Sequence, residues 1–243
     1  MSAIYKRELL SYFKSPIGYV FSAIFFAISG FCFVSTTVAQ ATTNTSEYFA
    51  MILLFFVILI PLLTMKLLSE EKKLGTEQLL LTSPVSLVGV ICAKFFAAFT
   101  IFALTLGISS VINMAALYNL AKNQEYVIAK MNIPTFLGCI LGVVLIGAAF
   151  IAIGLFISSL TENQIISAVV SIGVFALVMA SQAIAEGINN EVIRVIVKWF
   201  SVMDRFSGFQ RGIFDITSLI YYISISAVFL FLTVRVYEKR RWE

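Results

Sequence analysis

The densest group of chemically capable side chains lies in the stretch SEEKKLGTEQLLLTSPVS, Ser69 to Ser86, where Glu70, Glu71, Lys72, Lys73 and Glu77 sit beside Leu79, Leu80 and Leu81. Carboxylates and ammonium groups at this spacing can form ion pairs and charge-assisted hydrogen bonds, and adjacent leucines can fill an apolar pocket on a partner. Catalysis is a poorer fit. The chain has no histidine, which removes the commonest general base and the commonest metal ligand. Cys32, Cys92 and Cys139 lie singly in apolar runs without CxxC spacing and read as small apolar fillers, not as a disulfide or metal framework. No Gly-Lys pair occurs, so the phosphate-cradling loop G-x-x-x-x-G-K-[ST] is missing. The carboxylates show neither a pair inside an apolar run nor metal-ligand spacing. Residue physics leaves two readings of Ser69 to Ser86: a solvated loop that only sets topology, or a docking element. The three consecutive leucines beside five charges favour docking.

The elements that position this stretch follow from composition. Of the 243 residues, 60% are hydrophobic and 12% charged, against roughly 25% charged in soluble domains. This is an all-α integral membrane protein by expectation, with residues 1–243 forming a single transmembrane domain. Six windows reach the roughly 20 apolar residues needed to cross a bilayer: Ile17 to Ala39, Tyr48 to Leu67, Leu87 to Leu117, Pro134 to Ile157, Ile165 to Ala185 and Leu219 to Val236. The first exceeds a signal-peptide apolar region and reads as an uncleaved span. The net charge of +4 needs no nucleic acid, because the basic residues flank apolar runs. With an even number of spans, one side holds Lys6, Arg7, Lys14, Lys66, Lys72, Lys73, Lys94, Arg235, Lys239, Arg240 and Arg241, and the other Lys122, Lys130, Arg194, Lys198, Arg205 and Arg211. The excess places both termini and the charged stretch in the cytoplasm.

Within 69–86, Thr76 can cap a short helix with Glu77 in its first turn, and Gly75 and Pro84 are bends that stiffen it. Residues 1–16 predict a helix in the inner interface, with Tyr5, Leu9 and Tyr12 on one stripe and Arg7, Ser11 and Lys14 on another, ended by Ser15-Pro16. Residues 186–218 are too apolar for a free loop and too charged for a span. Glu191, Arg194, Lys198 and Arg205 share one helical face, and Val192, Val195, Ile196, Trp199 and Met203 the other. An amphipathic or re-entrant outer segment, with Trp199 and Phe200 at the interface, satisfies both. The span interiors lack Asp, Glu and Arg, and Lys94 lies early enough in the third window to snorkel, so ion-coupled transport has no evident carrier. Pro61 and the glycines of the fourth window are possible helix breaks. Gly138 and Gly142 have small-xxx-small spacing, which suits helix packing more than a dimer seam. Phe21, Phe25, Phe31, Phe55 and Phe56 suit a lipid-facing wall more than a pathway.

The segments EEKKLGTEQLLLTSPVS, SSLTENQIISAVVS and RGIFDITSLIYYISISAVFLFLTVRVYEKRRW resemble permease subunits of type-2 ATP-binding cassette (ABC) transporters, especially the branch linked to bacterial gliding motility. One departure is Cys92 and Ala93, where the family would have Gly before Lys94. The resemblance covers essentially the whole chain and implies a six-span, non-catalytic permease of the bacterial cytoplasmic (inner) membrane. It would form a translocation pathway with a second permease chain, identical or related. It implies no cofactor on this chain; ATP and Mg would bind two partner ATPase subunits. Glu70, Glu71 and Glu77 would then make polar contacts with the ATPase and Leu79 and Leu80 apolar ones, with Tyr5, Arg7 and Leu9 of the N-terminal helix as a second contact. A periplasmic or membrane auxiliary subunit and the lipid bilayer complete the expected partners. The alternatives are an uncoupled channel or secondary transporter, and a membrane anchor for an envelope or motility complex.

Overall fold

The computed structural model describes residues 2–40, 42, 44–75, 86–123, 133–188, 190–199 and 201–242. The described residues are helical throughout their regular parts: α1 (Ser2–Lys14), α2 (Pro16–Phe33) continuing as a π-helical turn (Val34–Val38), α3 (Ser46–Thr64), α4 (Ser69–Lys73), α5 (Leu87–Asn123), α6 (Ile133–Leu160), α7 (Gln164–Glu186), α8 (Glu191–Trp199), α9 (Val202–Gln210) and α10 (Ile216–Trp242). Six of these, α2, α3, α5, α6, α7 and α10, are long and apolar enough to cross a membrane. Their bounds lie within a few residues of the hydropathy windows, except where a helix outruns its apolar run. The last one continues to Trp242 because Arg235, Glu238, Lys239 and Arg240 are good helix formers, and Arg235 pairs with Glu238 one turn on at 2.7 Å.

Local chemistry sets the ends. Pro16 occupies the first turn of α2, where a missing N–H costs nothing, and so separates α1 from the first span. Asn163 caps α7 by accepting from Ile165 N at 2.9 Å. Asp215 caps α10, accepting from Thr217 N at 3.0 Å and Ser218 Oγ at 2.6 Å; these hydrogen bonds, that from Ser218 first, hold its carboxyl below the usual range. Gly212 has φ 73° in the turn before α10, a left-handed conformation that glycine adopts without strain.

The spans alternate, so the termini, α4 and the 160–163 turn share one end, called basal here, and α8 and α9 cap the distal end. Helix α6 is central: it packs on α3, α5, α7, α9 and α10. About 67% of its apolar window is buried, against 17% for α10. Close backbone approach explains this, since a Cβ at Gly147 would overlap the Phe102 ring of α5 and one at Gly154 would overlap Thr64 of α3. Aromatic rings fill the seams: Phe56 meets Phe102 at 5.3 Å, and Phe150 stacks on Phe175 at 4.5 Å. Phe21, Phe25 and Phe56 are fully buried and Phe55 partly so, whereas Phe31 is 62% exposed. Three of the aromatics expected at a lipid wall are therefore core residues. Lipid is as apolar as a protein core, so hydropathy does not separate the two faces.

Near the distal half, a polar knot ties α2, α3 and α5. Asn113 Nδ2 donates to Ser29 Oγ at 3.1 Å and Tyr48 OH at 2.9 Å, and Ser29 also bonds Ser109. Burying four polar groups in a membrane core is tolerable because each finds a partner among the others.

Candidate functional site

The site is built at the basal end, where the charged stretch begins. Helix α3 ends at Thr64, one turn after Pro61, whose ring forbids the preceding i−4 hydrogen bond. The chain turns and restarts as α4. The first N–H groups of a helix have no partner within it, and here another helix supplies one: Ser158 Oγ accepts from Leu68 N at 3.2 Å and Ser69 N at 3.1 Å, and donates to Met65 O at 3.3 Å. Ser158 and Ser69 are fully buried. Lys72 Nζ donates to the Ser159 carbonyl at the end of α6, where a cation also complements the helix dipole. The root of the charged stretch is thus fastened to the central helix of the bundle.

A second fastening is electrostatic. Lys94 of α5 does not snorkel to the surface, as its place in the sequence suggests; its side chain is 2% exposed, with Nζ 2.8 Å from Glu71 Oε1 and 3.3 Å from Glu8 Oε2. Two carboxylates from different helices make burial cheaper than extension to solvent. Arg7 completes the group, 2.8 Å from Glu8 Oε1 and 3.8 Å from Glu71 Oε1. The hydrogen bond that Arg7 donates to Glu8 raises the guanidinium above its ordinary value, against desolvation and with further help from the Glu8 and Glu71 charges. Glu8 is the functional residue that the sequence reading missed. Its signal was present: positions 5, 8, 9 and 12 lie on one helical face, and that face is the buried one. Tyr5 OH shares a hydrogen with Thr100 Oγ1 at 2.9 Å, and Tyr12 OH donates to Leu63 O at 2.9 Å. Leu9 packs against the core. Burial, with a smaller contribution from the Glu8 charge, pushes the Tyr12 phenol far above its usual value. Helix α1 is therefore docked on the bundle.

Of the residues expected to meet an ATPase, Glu71 points inward to Lys94, and Glu70 pairs at 3.1 Å with Lys66 of the turn between α3 and α4. Gly75 has φ 68° and an open surrounding; it turns the chain out of α4 in a conformation that disfavours other residues. Thr76, Glu77, Leu79, Leu80 and Pro84 lie outside the described residues, as does Phe200.

At the distal end, the outer segment is two helices. Ser201 caps the second by accepting from Asp204 N at 3.2 Å, so Arg205 belongs to α9 and does not continue the Glu191, Arg194, Lys198 face of α8. The Ser-x-x-Asp cap was legible and was passed over. Arg194 pairs loosely with Glu191 at 3.5 Å, and Lys198 is exposed. Trp199 is exposed and edge-packed on Tyr221, over whose ring Arg205 Cζ sits at 3.8 Å. Gly138 and Gly142 face α9: a Cβ would lie 2.9 Å from the Phe209 carbonyl at the first and 2.9 Å from the Phe206 ring at the second. Gly142→Val is expected to cost about 1–3 kcal/mol by overpacking, read as a lowered thermal midpoint in detergent, with Gly173→Val, inside α7 and in open space, as the control without a clash. The groove beside these glycines, about 490 Å³, is lined by apolar residues such as Leu137, Leu141 and Phe214, and offers no acid, base or nucleophile.

Among the described residues no group of three potential metal ligands occurs. The basal arrangement can transmit force and the distal one can sit in an interface. A family model described as ABC-2 family transporter protein matches residues 33–237. No curated protein matches the chain.

Proposed function

The chain belongs to the ABC-2 family of transporter proteins, and from that premise we propose that it is the permease subunit of an exporter driven by two separate cytoplasmic ATPases, which bind the ATP and Mg. Two permease chains, identical or related, form the pathway in the bacterial inner membrane, with both termini and the 69–86 segment cytoplasmic. The observation that carries this reading is the fastening of α4 at once to α6, through Ser158 and Ser159, and to α5, through Lys94. A flexible loop would absorb a push from outside. A root pinned to two spans passes it on. The ATPase would grip the part beyond Gly75, using Glu77, Leu79 and Leu80, with Pro84 stiffening the return to α5. Glu70, with a side chain 36% exposed, remains available at the rim. Glu71 serves better as a tether than as a contact, because Lys94 already holds it. The likeness to the gliding-motility branch rests on the quoted loop and closing segment and identifies no cargo.

The test is co-purification from native membranes in mild detergent. The wild-type permease should elute with a subunit that hydrolyses ATP. Glu77→Lys, and separately Leu79→Asp with Leu80→Asp, should stay inserted yet bind that subunit about thirtyfold more weakly, the equivalent of losing a contact hot spot of about 2 kcal/mol. Undiminished co-elution and transport in both variants would refute the docking role. A permease that elutes with no ATPase at all would favour the channel or anchor readings.

A further inference from the structure

Polar ties that α1 makes beyond its own neighbours run to the end of α3, to α4 and to α5. Tyr12 reaches Leu63 in the last turn of α3, just before the segment. Tyr5 reaches Thr100, about four turns into α5. Glu8 and Arg7 reach Lys94 of α5 and Glu71 of α4. The four charges close a ring in which each carboxylate touches both cations, with Lys94 at its buried side and Arg7, 63% exposed, at its open side. Glu71 alone would neutralise Lys94. The second carboxylate comes from a helix outside the bundle, and its placement next to the first has a mechanical consequence.

We propose that α1 is a brace across both roots of the 69–86 segment, and that Lys94 is the positioning residue that bolts it there. The ends of α3, α4 and the start of α5 then form one body. Without the brace the two roots belong to different spans and are joined through the Glu71–Lys94 pair; α1 adds a second link between them. With it, displacement of either root carries the other. A buried ion-pair ring suits this use because it is weak as net stabilisation and strict in geometry: removing one member leaves a desolvated charge, so partly broken arrangements are disfavoured. The benefit to ATPase coupling rests on the function proposed above; the brace itself does not.

The test uses full-length permease in lipid nanodiscs, with spin labels on non-natural side chains so that the native cysteines stay in place. One pair spans α1 and α4, at Leu10 and Lys73, both exposed; a second spans α4 and α5, at Lys73 and Val88. Wild type should give one narrow distance distribution for each pair. Glu8→Gln, which leaves Lys94 paired with Glu71, should add a second, longer population to the α1–α4 pair and leave the α4–α5 pair narrow. Lys94→Arg should keep both narrow. If Glu8→Gln leaves the α1–α4 pair unchanged, hydrophobic packing and the two tyrosines hold α1, and the bolt is refuted. With a partner ATPase bound, the α1–α4 distance should be the same in nucleotide-free and vanadate-trapped complexes; a change would refute the single body. If instead Lys73 does not move relative to a label at Arg211 between those states while the nanodisc results hold, the coupling function fails and the brace stands.

Discussion

Lys94→Met is expected to destabilise the permease by about 3–5 kcal/mol, the usual cost of removing one partner from a buried ion pair. The cation is held by Glu71 at 2.8 Å and Glu8 at 3.3 Å in surroundings that leave its side chain 2% exposed. Methionine fills the same volume, so little of the loss is a cavity. What remains is two carboxylates at the base of the bundle with Arg7 as their shared cation, and Arg7 is too exposed to neutralise both from within. Denaturation in detergent, followed by the fluorescence of the buried aromatic core, measures the loss. The decisive comparison is a triple variant, Lys94→Met with Glu8→Gln and Glu71→Gln. Removing all the buried charges together should recover most of the stability, because a desolvated charge is worse than none. If the triple variant is no more stable than Lys94→Met alone, the ring does not determine the energetics of this end.

Ser158→Ala should have the next largest effect. The substitution deletes a single hydroxyl, yet that hydroxyl accepts from the Leu68 and Ser69 amides and donates to Met65 O. No backbone carbonyl of α4 can take these amides, because they sit at its start. Leaving a buried donor unsatisfied costs about 1–3 kcal/mol per group, so the variant should lower stability by more than one such group. Hydrogen exchange localises the effect: the Leu68 and Ser69 amides should exchange faster, while amides of the distal helices keep their protection. Ser159→Ala is the matched control. Among the described residues its side chain bonds within its own helix, to Phe156 O at 2.6 Å, and the carbonyl that receives Lys72 survives the change. Equal effects from the two alanines would mean that α4 is not held by its cap from α6.

Both predictions turn on pairings that the sequence shows poorly. The six spans were legible because hydropathy over about 20 residues is a physical requirement of the bilayer. Helix α8 was legible too, since Glu191, Arg194 and Lys198 fall on one helical face and Val192, Val195 and Trp199 on the other. The break into α9 was legible in principle from Ser201 and Asp204 but was masked by an apolar face that continues through Met203. Lys94 illustrates the other case. Its position near a span end fits a snorkelling lysine as well as a buried one, and only Glu8, brought in by a separate helix, decides between them. Ser158 and Ser159 read as small residues at a helix end until the start of α4 delivers two unsatisfied amides beside Ser158. Phe21, Phe25 and Phe56 show the limit most plainly. In water a buried face declares itself by its contrast with a polar one, but in lipid both faces are oil, and periodicity falls silent. The candidate docking residues beyond Gly75 rest on sequence and family likeness alone.

The glycine contacts of α6 have a last consequence. With Gly147 pressed to Phe102 and Gly154 to Thr64, α6 closes tightly on α5 and α3 at these two levels, like a keel. On the function proposed above, cargo would then pass along the flank of this chain, and the width of the conduit would be a property of how two permease chains lean together.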